Sequence, residues 1–153
     1  MALKPDREEL TQDISFYMDE VAERGGIATL LTAGSGGGWK TVMGDTRNVV
    51  TYAAVAAGKQ PVGILLNDMV VVEAVTGMTR RFGQRDEMPV GSKCTLLRRG
   101  WVVTDKITGS PVGGEAAFVG ASGTITPASG GAQIGQFLGS KDEDGFARVS
   151  VLL

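Results

Sequence analysis

The sequence predicts a mainly β protein, a small β-barrel or sandwich with an N-terminal arm or short helix, and three observations carry that expectation. Across residues 90–153, short apolar runs at 94–97, 101–104, 116–119, 134–138 and 146–153 alternate with breaks that contain Gly. Glycine makes up 23 of the 153 residues, about twice its usual share of roughly 7%, and this favours many turns over long helices. Upstream, 49–57, 62–66 and 69–76 are rich in Val, Ala and Thr and are separated by Gly58-Lys59-Gln60-Pro61 and Asn67-Asp68. Strand formers between turn formers read as strands, and Asn67-Asp68 resembles the link of a hairpin.

The N-terminal zone, residues 1–38, reads differently. Leu10, Ile14, Tyr17 or Met18, and Val21 recur at helical spacing after Lys4-Pro5-Asp6, and Gly25-Gly26 supplies a stop. An amphipathic helix over about 6–24 is the preferred reading. Ile14, Phe16 and Met18 also alternate with Ser15 and Tyr17 as in an extended arm that orders against a partner. The run 27–33 ends in Gly34-Ser35-Gly36-Gly37-Gly38, a flexible loop that divides the arm or helix of 1–38 from a barrel-like domain, 39–153.

Residues 78–88 carry Arg80, Arg81, Arg85, Asp86 and Glu87 and read as an exposed loop or edge, where charge discourages stray strand pairing. Later, Gly109-Ser110-Pro111, Gly113-Gly114 and Gly123 supply turn angles. After Asp142-Glu143-Asp144-Gly145, the residues Phe146, Arg148 and Ser150 alternate with Ala147, Val149 and Val151. That period of two predicts a closing strand with one buried face.

Composition narrows the function classes. A chain of 153 residues buries roughly 70% of its unfolded surface and needs no metal or disulfide to fold. Net charge is -2, with 15 basic and 17 acidic residues, so neither nucleic acid nor an anionic membrane is the expected partner. The first residues are charged and no apolar run approaches the ~20 residues of a membrane span, so the expected product is soluble and made in a cytoplasm. Cys94 is the lone cysteine and sits in an apolar run, which predicts a small buried hydrophobe.

Three motifs invite a chemical reading and fall short. Gly34-Ser-Gly-Gly-Gly-Trp-Lys-Thr41 resembles a phosphate-binding loop, but Trp39 stands where glycine must precede the lysine. Residues 140–151 place Asp142, Asp144 and Gly145 on calcium-loop positions, yet Val151 replaces the closing Glu, so a solvated turn is expected. Arg80, Arg81, Arg85, Lys93, Arg98 and Arg99 next to Trp101 suggest a stacking patch for bases, which the interleaved Asp86 and Glu87 weaken. With no histidine, the commonest general base and metal ligand are missing, and no pair among Glu73, Asp105 and Glu115 is singled out. No catalytic residue, cofactor or metal is expected.

The order of Gln60-Pro-Val-Gly-Ile-Leu-Leu-Asn-Asp68, Pro89-Val-Gly-Ser-Lys-Cys-Thr-Leu-Leu-Arg-Arg-Gly-Trp-Val-Val-Thr104, Ile107-Thr-Gly, Gly113-Gly-Glu-Ala-Ala-Phe-Val-Gly-Ala-Ser-Gly-Thr-Ile-Thr126 and Ile134-Gly-Gln-Phe-Leu resembles the small structural proteins of tailed bacteriophages. Within these it is most similar to head decoration, or capsid cement, proteins, over roughly residues 49–153 in cadence. The resemblance implies a β-rich homotrimer that binds the major capsid protein on the outer surface of the expanded head, within the virion, and stabilises it. On that reading Leu10, Ile14, Phe16, Tyr17 and Met18 form the capsid or subunit interface. The alternatives are a tail-tube or connector subunit, and a stand-alone ligand-binding β-barrel.

Overall fold

The computed structural model describes residues 2–31, 49–66, 87–88 and 90–153. The glycine loop 34–38, the phosphate-loop resemblance, Asn67-Asp68, the run 69–76 and Arg80, Arg81 and Arg85 lie outside the described residues. Among the described residues the chain is mainly β, with a single 3₁₀ turn at Ala121–Gly123.

Its strands are β1 (Glu8–Asp13), β2 (Tyr17–Met18), β3 (Ala22–Glu23), β4 (Ile27–Leu30), β5 (Val49–Thr51), β6 (Pro61–Leu65), β7 (Glu87–Met88), β8 (Leu96–Thr104), β9 (Ala116–Val119), β10 (Ile125–Thr126), β11 (Gln133–Phe137) and β12 (Ala147–Leu152). One sheet runs β10-β9-β11-β12-β8-β6-β4-β5-β2, with β1 also on β8, while β3 and β7 pair separately. Among the described residues every pairing between these strands is antiparallel except β2 with β5.

The runs 94–97 and 101–104, expected as separate strands, are instead joined into the nine-residue β8. Gly100 makes this continuity possible. Its φ of +141° is open to glycine, and a Cβ there would lie 2.0 Å from the Glu8 carbonyl oxygen. β8 then organises the fold, because Trp101, Gly100 and Arg99 pair with β1 on one edge and β12 on the other. Past the end of β12, Leu97 and Leu96 pair with β6. The two halves of the sheet therefore meet at one strand.

Two cores result. The first gathers Leu3, Ile27, Ile64, Leu66, Leu97, Val102 and Phe137 with the inward residues of β9, β11 and β12. The second gathers Met18, Ala22, Ala28, Val62, Leu65, Met88, Cys94 and Leu96. Ile27 and Ile64 face one core while Ala28, Val62 and Leu65 face the other, so β4 and β6 are packed on both sides. Each fully buried Ile, Leu or Phe contributes roughly 1.5–3 kcal/mol.

The helix expected over 6–24 is not formed; this segment is extended and supplies β1, β2 and β3. Leu10, Ile14 and Val21 of the helical stripe are exposed, whereas Met18 and Ala22 are buried. Backbone pairing with β8 and β5 satisfies the N–H and C=O groups that a helix would have satisfied internally, and tertiary context overrides the periodicity. Nor is the zone a separate arm. Leu3 and Ile27 sit in the first core, and β4 lies between β6 and β5.

Local chemistry fixes the corners. Gly25, at φ +95°, turns β3 into β4. The Tyr52 hydroxyl donates to Glu23 O at 2.6 Å and accepts from Gly26 N–H at 3.1 Å. Its ring occupies the space above Gly26 and Gly123, where any Cβ would come within 2.8 Å of it. Enclosure of that hydroxyl raises its pKa above the ordinary tyrosine value. Thr104, fully buried, lies 2.9 Å from both Ala2 O and Gly25 O and accepts from Lys106 N–H. These bonds tie the N-terminal residues to the end of β8.

Candidate interaction surface

The sheet formed by β8, β12, β11 and β9 buries only one face. In β12, Ala147, Val149 and Val151 point into the first core and Arg148, Ser150 and Leu152 point away from it. Register carries the outward residues into rows. Glu8, Trp101, Ser150, Gln136 and Ala116 form one row across five strands. Thr11, Arg99 and Leu152 form the next.

Aromatic and arginine side chains meet on this face. The Arg148 guanidinium lies 4.1 Å from the centroid of the Trp101 ring, a cation–π stack, and its Nη2 reaches Asp6 at 3.4 Å. Leu152 is 64% exposed and Leu138, beside Arg148, is 45% exposed. Arg99 is exposed and, among the described residues, makes no ion pair.

An open groove of about 380 Å³ borders the face, lined by Lys4, Asp6, Val103, Leu138, Phe146 and Arg148 among others. Its charges are internally matched. Lys4 donates to Asp142 at 2.7 Å and lies 4.4 Å over the Phe146 ring. The Asp142 carboxylate also accepts from Phe146 N–H at 2.8 Å and Asp144 N–H at 3.1 Å. The Lys4 hydrogen bond first, then the Phe146 amide, hold its pKa below the ordinary carboxylate value. The calcium-like stretch is thus a turn whose leading carboxylate is occupied by its own amides and a lysine. No group of three or more His, Cys, Asp or Glu placed to hold a metal occurs among the described residues.

At the margin of the face, β1 is an edge strand of unusual make-up. No side chain from Pro5 to Thr11 is fully buried, so backbone pairing with β8 holds it in place. Register shifts at Leu10 and after Thr11 interrupt the ladder, and Leu10 is left unpaired and 62% exposed. Carboxylates crowd the strand. Glu9 is taken by Arg7 and Gln12, and Asp13 is held by the Ser15 hydroxyl and amide, which lower its pKa. Glu8 is exposed and makes no ion pair among the described residues.

The expected interface residues are dispersed. Leu10 and Ile14 are exposed, as an interface requires. Phe16 is partly buried against the second core, and Lys93 Nζ lies 5.8 Å from the centroid of the Tyr17 ring. Met18 is fully buried in the second core; it is a packing residue, which removes it from the contact set. Of the expected basic patch, Arg99 and Trp101 share the outer face while Lys93 sits by Tyr17.

Cys94 is buried, its Sγ is 3.2 Å from Phe16 O, and loss of water pushes its pKa up to about 12. It is a packing thiol. Sequence reasoning missed the row from Glu8 to Ala116, whose members lie far apart in the chain; only the alternation in β12 signalled an outward face. No helix among the described residues is long and apolar enough to cross a membrane. No protein-family model matches the chain, and no curated protein matches it in sequence.

Proposed function

We propose that the chain is a noncatalytic adhesive subunit, a decoration or cement protein that binds the outer surface of an expanded tailed-bacteriophage head and stabilises it. One observation carries the reading. A sheet packed on a single side leaves an outer face bearing a Trp–Arg stack, exposed leucines and an arginine that makes no ion pair among the described residues. Aromatic residues and arginine are the typical anchors of protein interfaces. In the groove beside it Lys4 pairs with Asp142 and Arg148 with Asp6. Many weak contacts repeated over a shell add to a large stabilisation without any one being strong.

The deciding experiment is co-sedimentation with purified phage heads before and after expansion. Saturable binding to expanded heads, together with a raised temperature of head disruption, is the expected result. Absence of binding, or turnover of a substrate by the purified protein, would overturn the proposal. Electron microscopy distinguishes the tail-tube or connector alternative, which forms stacked rings without heads. A ligand-dependent rise in melting temperature in a monomeric protein would mark the ligand-binding alternative.

A further inference from the structure

We propose that the groove beside Trp101 is a binding site for a small carboxylic acid with an apolar body, anchored by Arg148. Occupation of the groove needs no shell, so it goes beyond adhesion to one.

Sheet register builds the site. Val103 lies opposite Arg148 in the ladder of β8 with β12, while Lys4 N–H donates to Val103 O and Leu138 N–H to Arg148 O. Lys4, Val103, Arg148 and Leu138 therefore form one row across four stretches of chain, next to the row of Trp101 and Ser150, and all four line the groove. Val103, Leu138 and Phe146 supply its apolar lining.

The two ion pairs of the groove are unlike. Lys4 and Asp142 meet at 2.7 Å, and that carboxylate is completed by the amides of Asp144 and Phe146. It is closed to a newcomer. Asp6 lies 3.4 Å from Arg148 Nη2, longer than the roughly 2.7–2.9 Å of a good charge-assisted bond. Its side chain is 71% exposed and has no second partner among the described residues. Arg148 cannot follow Asp6 into solvent without leaving the Trp101 ring, whose centroid is 4.1 Å from its guanidinium carbon. A fork of five N–H donors is thus held in place against one distant acceptor.

A carboxylate is the group that completes such a fork, because its two oxygens match the planar guanidinium while the stacked face stays on the indole. Asp6 yields its place at small cost, since exposed ion pairs are weak. The body of the ligand then covers Val103, Phe146 and Leu138, the last of them 45% exposed. Inorganic phosphate would satisfy the charge and leave these side chains wet; an alkylammonium would meet Arg148 with its own sign. At about 380 Å³ the groove is at the lower end of the roughly 300–1,000 Å³ of ligand pockets. A short-chain acid is the fitting size.

Amide chemical-shift titration of the full chain with acetate, butyrate and hexanoate at fixed ionic strength tests this, with inorganic phosphate and hexylammonium as controls. Saturable shifts at Trp101, Val103, Leu138 and Arg148 are expected, with affinity rising up to ~4-fold per added methylene. Arg148→Gln, once a melting curve shows that it folds, should weaken hexanoate binding at least ~10-fold. Asp6→Asn should tighten it about 2-fold by removing the competing carboxylate, which a purely structural role for Asp6 would not do. No saturation by hexanoate, phosphate binding as tightly as hexanoate, affinity independent of chain length, or Asp6→Asn binding more weakly than the wild type would each overturn the site. Hexanoate binding by a protein that ignores phage heads would keep the site and sink the capsid reading. Head binding without hexanoate binding would do the reverse.

Discussion

The β4–β6 pair and the β12 strand are comparably apolar, yet one is packed on both sides and the other on one. β6 reads Pro61-Val-Gly-Ile-Leu65 with no polar interruption, and its side chains divide between two cores. β12 reads Ala147-Arg-Val-Ser-Val-Leu152, and only every second residue is buried. Unbroken apolar runs mark strands covered on both faces, and alternation marks strands that keep one face free. The contrast teaches that the free face of this protein belongs to its alternating strands, which is where an adhesive function has to be sought.

The largest effect that would sharpen this contrast lies within one strand. Phe137 is fully buried in the first core, while its neighbour Gln136 is exposed on the outer row. Phe137→Ala should cost about 3–5 kcal/mol of stability, and Gln136→Ala should change it by less than about 0.5 kcal/mol. Urea unfolding midpoints check both, and equal effects would break the two-faced description of β11.

A second substitution separates β1 from the rest of the sheet. Gly100→Ala would place a Cβ 2.0 Å from Glu8 O at a φ of +141°, a strained position costing roughly 1–3 kcal/mol. Because β1 buries no side chain from Pro5 to Thr11, the strain should be relieved by lifting that strand alone. Hydrogen exchange should rise at 8–12 and stay slow at 147–152; loosening of both would show that β1 is integral.

The smallest expected effect concerns the second core and appears at high pH. Cys94 has its pKa raised from 9.0 to about 12 by burial, and Tyr52 is raised in the same direction. Above pH 9 the unfolded thiol releases its proton while the folded one retains it, so the unfolded state binds fewer protons and stability falls. The loss from Cys94 is about 1.4 kcal/mol per pH unit between the two pKa values. Urea midpoints at pH 8 and pH 10 measure it, and Cys94→Ala should remove that share of the decline. An unchanged pH dependence in the variant would assign the decline elsewhere.

Much of the fold was legible because burial imprints itself locally. The runs at 116–119 and 134–138 and the alternation after Phe146 became β9, β11 and β12 with small shifts at their ends. Two features were not legible. Gly100 looked like a break because glycine usually ends a strand, and only the close approach of β1 explains why glycine is needed within one. Leu10, Ile14 and Val21 imitated a helical stripe although none of them is buried. The candidate surface was the least visible, since Glu8, Trp101, Ser150 and Gln136 become neighbours only through register.

The pairing of β1 with β8 also sets an order of events during synthesis. Glu8 leaves the ribosome long before Trp101, its partner across the ladder, and Leu3 has to wait for Thr104. Contacts this distant along the chain form late and slowly. Strand β1 therefore waits unpaired until β8 has been made, and until the two meet the β8 edge stands open to strands from neighbouring nascent chains.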